Sequence, residues 1–128
     1  MSFVLSNDIL KYFEESKNEA IKLLEELCKI PAPSNHEEKR AEFCRTWLVE
    51  NGAEGVLIDE ALNVVFPYEC DGKDDIVVFM AHTDTVFPDV TYPMPYFNDG
   101  KKVYSPGVGD DTISLGNRKY SYWYENCC

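Results

Sequence analysis

The sequence predicts a single α/β domain in which two helices are followed by a mixed sheet. Apolar residues recur at helical spacing over residues 6–30 and again over residues 34–51. After these helices the pattern changes to short runs rich in Val, Ile and Phe, separated by polar or glycine-containing turns. One run, residues 75–81, is apolar on both faces, as in a strand that helices cover on two sides. Together these patterns indicate an α/β layer fold.

The first predicted helix covers residues 6–30, with a break near Ser16. Its buried stripe has the i, i+3, i+4, i+7 spacing and consists of Ala20, Leu23, Leu24 and Leu27. The helix is predicted to end at Pro31 and Pro33, because proline lacks a backbone donor and biases the preceding residue away from helical angles.

The second predicted helix begins at a capping box, in which two side chains cover the free amides of the first turn. Ser34 and Glu37 have the spacing of such a box. The helix is expected to run to about Asn51, where Gly52 stops it. The residues predicted to face inward are Ala41, Cys44 and Leu48.

Four short strands and a loop follow the helices. The strands are predicted at residues 55–58, 63–68, 75–81 and 101–104, and residues 87–99 form a proline-rich loop. From residue 113 to residue 128 the chain has neither helical nor strand periodicity, and it ends on two cysteines. We expect this tail to lack native-like structure, as a shifted or truncated reading frame would produce.

Length and charge exclude several classes of partner. The chain has 128 residues, which suffice for one domain but not for most two-domain enzymes. Its 12 basic and 23 acidic residues give a net charge of −11, which repels nucleic acid and anionic lipid. No signal peptide and no membrane span of roughly 20 apolar residues is expected. The five cysteines lack paired metal-ligand spacing and predict reduced thiols in the cytoplasm.

Two polar clusters stand where loops leave strand-like segments. His82 and Asp84 are two positions apart and therefore point to the same side, so Asp84 can orient His82 or bind a metal itself. Asp110 and Asp111 follow a Gly-x-Gly turn and can present oxygens to a divalent cation. Taken singly, each cluster also fits a turn histidine, a helix cap or an exposed acidic turn. As a pair, they lie where open α/β sheets bind ligands.

Two segments carry a family resemblance. Residues 80–88 read Met-Ala-His-Thr-Asp-Thr-Val-Phe-Pro, and residues 99–112 end in Gly-Val-Gly-Asp-Asp-Thr. Both are similar to motifs of the co-catalytic zinc exopeptidases, a family that includes peptidase T, glutamate carboxypeptidase, aminoacylase and succinyl-diaminopimelate desuccinylase. The nearest likeness is to the peptidase-T-like branch, in which Asp-Asp replaces Asp-Met. The segment from Ile30 to Glu38 also resembles the family, and the likeness extends over roughly residues 9–112.

The resemblance implies a fold, a cofactor and a reaction. Residues 1–112 would be the amino-terminal part of a three-layer zinc-peptidase catalytic domain that hydrolyses peptides or N-acyl amino acids with a metal-activated water. His82 would ligate one zinc ion, and Asp110 would bridge two zinc ions. Asp84 would be the catalytic-site carboxylate that holds the His82 imidazole and raises its basicity. The bond between Asp110 and Asp111 is often cis in the family.

The family pattern is incomplete in this chain. It requires a consecutive Glu-Glu after the bridging aspartate, one as general base and one as ligand, and later an acidic ligand and a histidine. Beyond Asp111 the chain has one acidic residue, Glu125, and no histidine. His36, in the first turn of a predicted helix beside acidic residues, is expected to have no metal role. Since catalytic zinc takes about three protein ligands, neither zinc position is closed.

We therefore expect an inactive chain. The alternatives are a truncated non-enzymatic product, a binding module, or a site completed in trans by another chain.

Overall fold

The computed structural model describes residues 5–88 and 90–116, and two long helices dominate it. Helix α1 spans Asn7–Lys29 and helix α2 spans Glu38–Glu50. A third, short helical segment spans Val108–Thr112, and it is interrupted at Asp110 and Asp111, whose backbone angles are not helical. Two small two-stranded antiparallel sheets complete a mostly helical, mixed α/β domain.

Helix α1 is continuous, so the predicted break near Ser16 is wrong. The Ser16 hydroxyl donates to the Tyr12 carbonyl at 2.7 Å, one turn earlier, which a helix accommodates without breaking. At the amino end the Ser6 side chain accepts from the Ile9 amide at 3.4 Å. The helix ends at Lys29, just before the prolines that the sequence marked as its stop.

The predicted stripe of α1 forms the core. Leu23, Leu24 and Leu27 are buried, while Ala20 is half-buried. The core cluster and the side chains packed against it are Leu23, Leu27, Cys44, Phe43, Trp47, Val64 and Leu115. This packing joins α1, α2 and the short strand pair that follows.

The predicted capping box at α2 is wrong. Helix α2 begins at Glu38, and the Glu37 side chain makes no capping hydrogen bond. Instead, the Glu37 carboxylate accepts from the Asn35 amide at 2.6 Å, and the Ser34 hydroxyl donates to Asp84. Asn35 has a φ of 67°, so the chain turns before the helix and carries Ser34 out of reach of its amides.

The carboxyl end of α2 agrees with the prediction. Asn51 is the capping residue, and Gly52 follows with a φ of 89°, an angle that suits glycine. Of the residues predicted to face inward, Ala41 and Cys44 are buried and Leu48 is half-buried.

Each sheet is a single pair of two-residue strands. Strand β1, Leu57–Ile58, pairs with β2, Val64–Val65, and Leu57 lies opposite Val65. Strand β3, Phe97–Asn98, pairs with β4, Val103–Tyr104. Strands β1, β2 and β4 fall within predicted runs, whereas β3 falls within the predicted loop.

The predicted central strand at residues 75–81 is wrong. No described strand pairs with this segment, and strand structure requires a hydrogen-bonded neighbour. Its apolar side chains are exposed, with Val77 at 79% and Phe79 at 75% of their full accessibility. The apolar sequence gives the segment two faces to bury, but residues 76–80 remain mostly exposed.

The remaining expectations concern the tail, the thiols and the membrane. Residues 113–116 form one helical turn, and the rest of the predicted tail lies outside the described residues. Cys28, Cys44 and Cys70 are free thiols. None of the described helices is long and apolar enough to cross a bilayer.

Candidate metal centre

His82 lies between two carboxylates. Its Nε2 is 3.0 Å from Asp110 Oδ1, and its Nδ1 is 3.1 Å from Asp84 Oδ1. The Nδ1 atom is also 3.1 Å from the backbone oxygen of Asp84. The structure thus brings together all three residues that the sequence singled out for the site.

The loop that carries His82 is hydrogen-bonded to residues 30–37, the connection between helices α1 and α2. Thr85 forms an isolated parallel bridge with Pro33, and its amide donates to the Ala32 carbonyl at 2.7 Å. Thr85 and Ala32 are both buried. Ser34, next along this connection, donates its hydroxyl to the Asp84 carboxylate. Ser34 and His82 therefore contact different oxygens of the Asp84 carboxylate, Oδ2 and Oδ1.

The loop that carries Asp110 approaches the His82 loop closely. Gly107 has a φ of 71°, and a Cβ placed on it would lie 2.5 Å from Thr85 Cγ2. The Gly107 carbonyl accepts from the Asp110 amide at 3.2 Å and from the Thr112 amide at 3.4 Å. The bond between Asp110 and Asp111 is cis, in agreement with what the resemblance implies. Only glycine at position 107 allows this approach without displacement.

The neighbouring groups shift the pKa values of His82 and Asp84 in opposite directions. The hydrogen bond to Asp110 is the main cause that raises the pKa of His82 above its ordinary value, and Asp84 adds to it. The hydrogen bond from Ser34 is the main cause that lowers the pKa of Asp84, and the charge of His82 adds to it. These interactions lie at the protein surface, since the His82 side chain is 48% exposed.

The donor set fits one side of a zinc site. Two ligand atoms of a tetrahedral zinc ion lie about 3.3 Å apart, because zinc–ligand bonds are roughly 2.0–2.1 Å long. His82 Nε2 and Asp110 Oδ1, at 3.0 Å, are close to that separation. Asp84 holds the other imidazole nitrogen, the usual arrangement for a histidine that ligates zinc.

The described residues do not complete the site. Over residues 5–88 and 90–116, no group of three or more His, Cys, Asp or Glu side chains is arranged to hold a metal ion. His36 is exposed, and it does not line the cleft at His82. The candidate centre consequently offers two ligands, His82 and Asp110, and one orienting carboxylate, Asp84.

An open cleft of about 310 Å³ faces these groups. His82, Asp84 and Asp110 line its polar part, and its apolar lining residues are Val86, Phe87 and Val108. The cleft therefore places an apolar wall beside the polar groups.

Sequence reasoning missed Arg40, which lies behind the site. Its side chain is 1% exposed, and its Nη1 donates to the Thr83 carbonyl at 2.9 Å. Its position in the sequence could have indicated this burial. Arg40 precedes Cys44 by four residues and Trp47 by seven, so helical spacing places this charged residue in the apolar stripe of α2.

In comparison with known proteins, no family model matches the chain, and no curated protein matches it.

Proposed function

We propose that this chain carries one half of a dizinc site of the kind that hydrolyses peptide or amide bonds. The observation that carries the proposal is the position of His82 between Asp84 and Asp110, which come from two separate loops. A histidine with one nitrogen held by a carboxylate and the other facing a second carboxylate has the chemistry of a zinc ligand. The motif resemblance supports the same interpretation.

Each residue has a distinct role in this proposal. His82 offers Nε2 as a terminal ligand, and Asp84 fixes the ring so that this nitrogen faces Asp110. Asp110 lines the cleft and its side chain is 88% exposed, so its carboxylate would be open to metal ions, which by the resemblance it would bridge. Zinc, when bound, would supply the Lewis acid that activates water for attack on an amide carbonyl.

The same proposal includes a finer fold, the amino-terminal part of a three-layer zinc-peptidase domain. In such a domain residues 75–81 would be a strand paired on both edges and covered on both faces. The exposure of residues 76–80 in this structure, with Met80 at 79%, marks an apolar surface that needs such partners.

The chain by itself should not catalyse hydrolysis at a useful rate. The consecutive Glu-Glu that would supply the general base and a ligand does not occur after Asp111, and no histidine follows His82. Without a base, nothing moves the proton from water to the leaving amine. We therefore expect metal binding without turnover.

The test combines an activity assay with a metal titration of the 128-residue chain. With zinc or cobalt and a panel of small peptides and N-acyl amino acids, we expect no turnover; rates near ~10 per second would contradict the proposal of an inactive half-site. With Cys127 and Cys128 replaced by serine, so that these adjacent thiols do not capture the metal, zinc should bind weakly, and His82→Gln should abolish this binding. His36→Gln is the matched control, because it removes the other, exposed histidine. If both variants lose zinc binding equally, or if neither loses it, the proposed site is refuted.

A second candidate, a non-enzymatic chain that uses no metal, has one observation in its favour. His82 Nε2 contacts Asp110 Oδ1 directly at 3.0 Å, as in an ion pair, and among the described residues no group of three side chains is arranged to hold a metal ion. If His82 and Asp110 serve only as a surface ion pair, zinc will not bind measurably. Tight binding of two zinc ions would instead favour a site completed in trans by another chain.

A further inference from the structure

Arg40 connects three segments of the chain through one guanidinium group. Its Nη1 donates to the Thr83 carbonyl at 2.9 Å and to Thr112 Oγ1 at 3.3 Å. Its Nη2 donates to the Ile30 carbonyl, at the end of α1, at 2.7 Å. The side chain therefore joins helix α2, the end of α1 and both loops of the candidate metal centre.

The two loop contacts are adjacent to the groups that would bind metal. Thr83 lies between His82 and Asp84, and Thr112 follows Asp110 by two residues. The same Nη1 atom contacts both threonines. A shift of one loop that moves Nη1 therefore also changes the hydrogen bond between Nη1 and the other loop. The fixed planar fork of arginine makes this geometry specific, and a lysine ammonium does not reproduce it.

Packing alone does not account for a cation at this position. Arg40 is 1% exposed, and burial lowers the pKa of its guanidinium. Its Nε is buried without a hydrogen-bond partner among the described residues. An apolar side chain of similar volume would avoid both the desolvation of the charge and the unpaired donor. The contacts that Arg40 makes in return all fix backbone or hydroxyl groups of the segments that surround the site.

We propose that Arg40 is a positioning residue that sets the separation of His82 and Asp110 through its contacts with Thr83 and Thr112. The inference rests on the proposed metal function for its consequence, the affinity for zinc. Its structural part, the joint fixing of the two loops, holds whether or not metal binds.

The first measurement is zinc affinity by calorimetry on the full chain. Cys127 and Cys128 are replaced by serine in every variant, so that the adjacent thiols do not capture the metal. Arg40→Lys keeps the charge without the fork, and Thr112→Val keeps the volume without the acceptor. Since residues that orient ligands typically contribute about 10–100-fold to metal affinity, we expect a loss of that size in both variants. Thr112→Ser, which keeps the hydroxyl, should restore most of the affinity.

Two control variants separate positioning from general stability. Arg45→Lys changes an exposed arginine of the same helix, paired with Glu42 at 3.1 Å, and should leave zinc affinity unchanged. Leu23→Ala removes core packing without removing any hydrogen bond of the two loops, and it should lower the melting temperature while the folded fraction keeps its zinc affinity. If Leu23→Ala weakens zinc binding as much as Arg40→Lys does, or if Thr112→Val binds normally, the proposal is overturned.

The second measurement requires no metal. In amide hydrogen exchange, the Thr85 amide, bonded to Ala32, and the Thr112 amide, bonded to Gly107, report on the two loops. In Arg40→Lys both should exchange at least about 10-fold faster, while the Leu27 amide in α1 stays unchanged. If the parent chain binds no zinc, the proposed function fails, but the hydrogen-exchange rates still decide whether Arg40 fixes the two loops. The positioning role of Arg40 would be overturned if exchange at Leu27 accelerates as much as in the loops, or if exchange in the loops does not accelerate.

Discussion

Replacement of Gly107 by alanine should destabilise the protein through two separable effects. The φ of 71° is a left-handed angle that costs a residue with a Cβ roughly 1–2 kcal/mol. In addition, the new Cβ would lie 2.5 Å from Thr85 Cγ2, well inside normal contact, so that the two loops must separate. Overpacking of this kind costs about 1–3 kcal/mol. The sum predicts a loss of about 2–5 kcal/mol in the free energy of unfolding.

Two other glycines provide matched controls. Gly100 has a φ of 86° but open space around it, so Gly100→Ala should show the backbone cost alone, about 1–2 kcal/mol. Gly109 has neither a positive φ nor a neighbour within 4 Å, so Gly109→Ala should change the free energy of unfolding little. Urea denaturation followed by fluorescence measures all three.

A double-mutant cycle isolates the steric part. Thr85→Ser removes the methyl carbon that the new Cβ would meet, so the variant carrying both Gly107→Ala and Thr85→Ser should lose less stability than the two single changes added together. A strictly additive cycle, or a Gly107→Ala variant no less stable than Gly100→Ala, would refute the close approach of the two loops.

Three further predictions concern charge and the core. Zinc affinity should fall as the pH drops through the raised pKa of His82, because a proton then occupies the ring nitrogen that zinc needs; titrations at several pH values test this, and a flat profile would count against His82 as a ligand. The pKa of Asp84 is lowered, so the stability that its carboxylate contributes is fully present above the ordinary pKa of 3.8 and is lost as the pH falls through the pKa in the folded protein. The acid unfolding curves of Asp84→Asn and the parent should therefore converge at low pH. Leu27→Ala, at a side chain 0% exposed, should cost about 2–5 kcal/mol in urea denaturation. Leu10→Ala, at 48% exposure, is the control and should cost much less.

Local sequence patterns predicted the helical core well because helical periodicity directly reports a buried face. Leu23 and Leu27 were placed in the core from spacing alone, and Gly52 marks the end of α2 because glycine accepts its φ of 89°. The motif pair predicts the proximity of His82 and Asp110, which are 28 positions apart. The rule that loops leaving strands gather at one edge of a sheet also predicts it, but residues 75–81 form no described strand, so this rule does not explain the contact.

Features that depend on tertiary partners were not predictable from local pattern. Residues 75–81 have the apolar content of a central strand, but strand formation also needs neighbouring backbone, and no described strand supplies it. Ser34 and Glu37 have capping-box spacing, yet the Ser34 hydroxyl bonds to Asp84, which is 50 positions away. The place of Arg40 in the apolar stripe of α2 is visible in the sequence, but its partners are not, because they are backbone and hydroxyl oxygens from distant segments.

The most direct test of the candidate metal centre is nitrogen NMR of the imidazole rings as zinc is added. The chain has only two histidines, so the signals of His82 can be assigned by comparison with His36→Gln. If the centre is a zinc half-site, zinc will shift the Nε2 resonance of His82, while Nδ1 stays protonated and bonded to Asp84. Zinc that leaves both nitrogens of His82 unchanged, or that binds through Nδ1, would contradict the proposed centre.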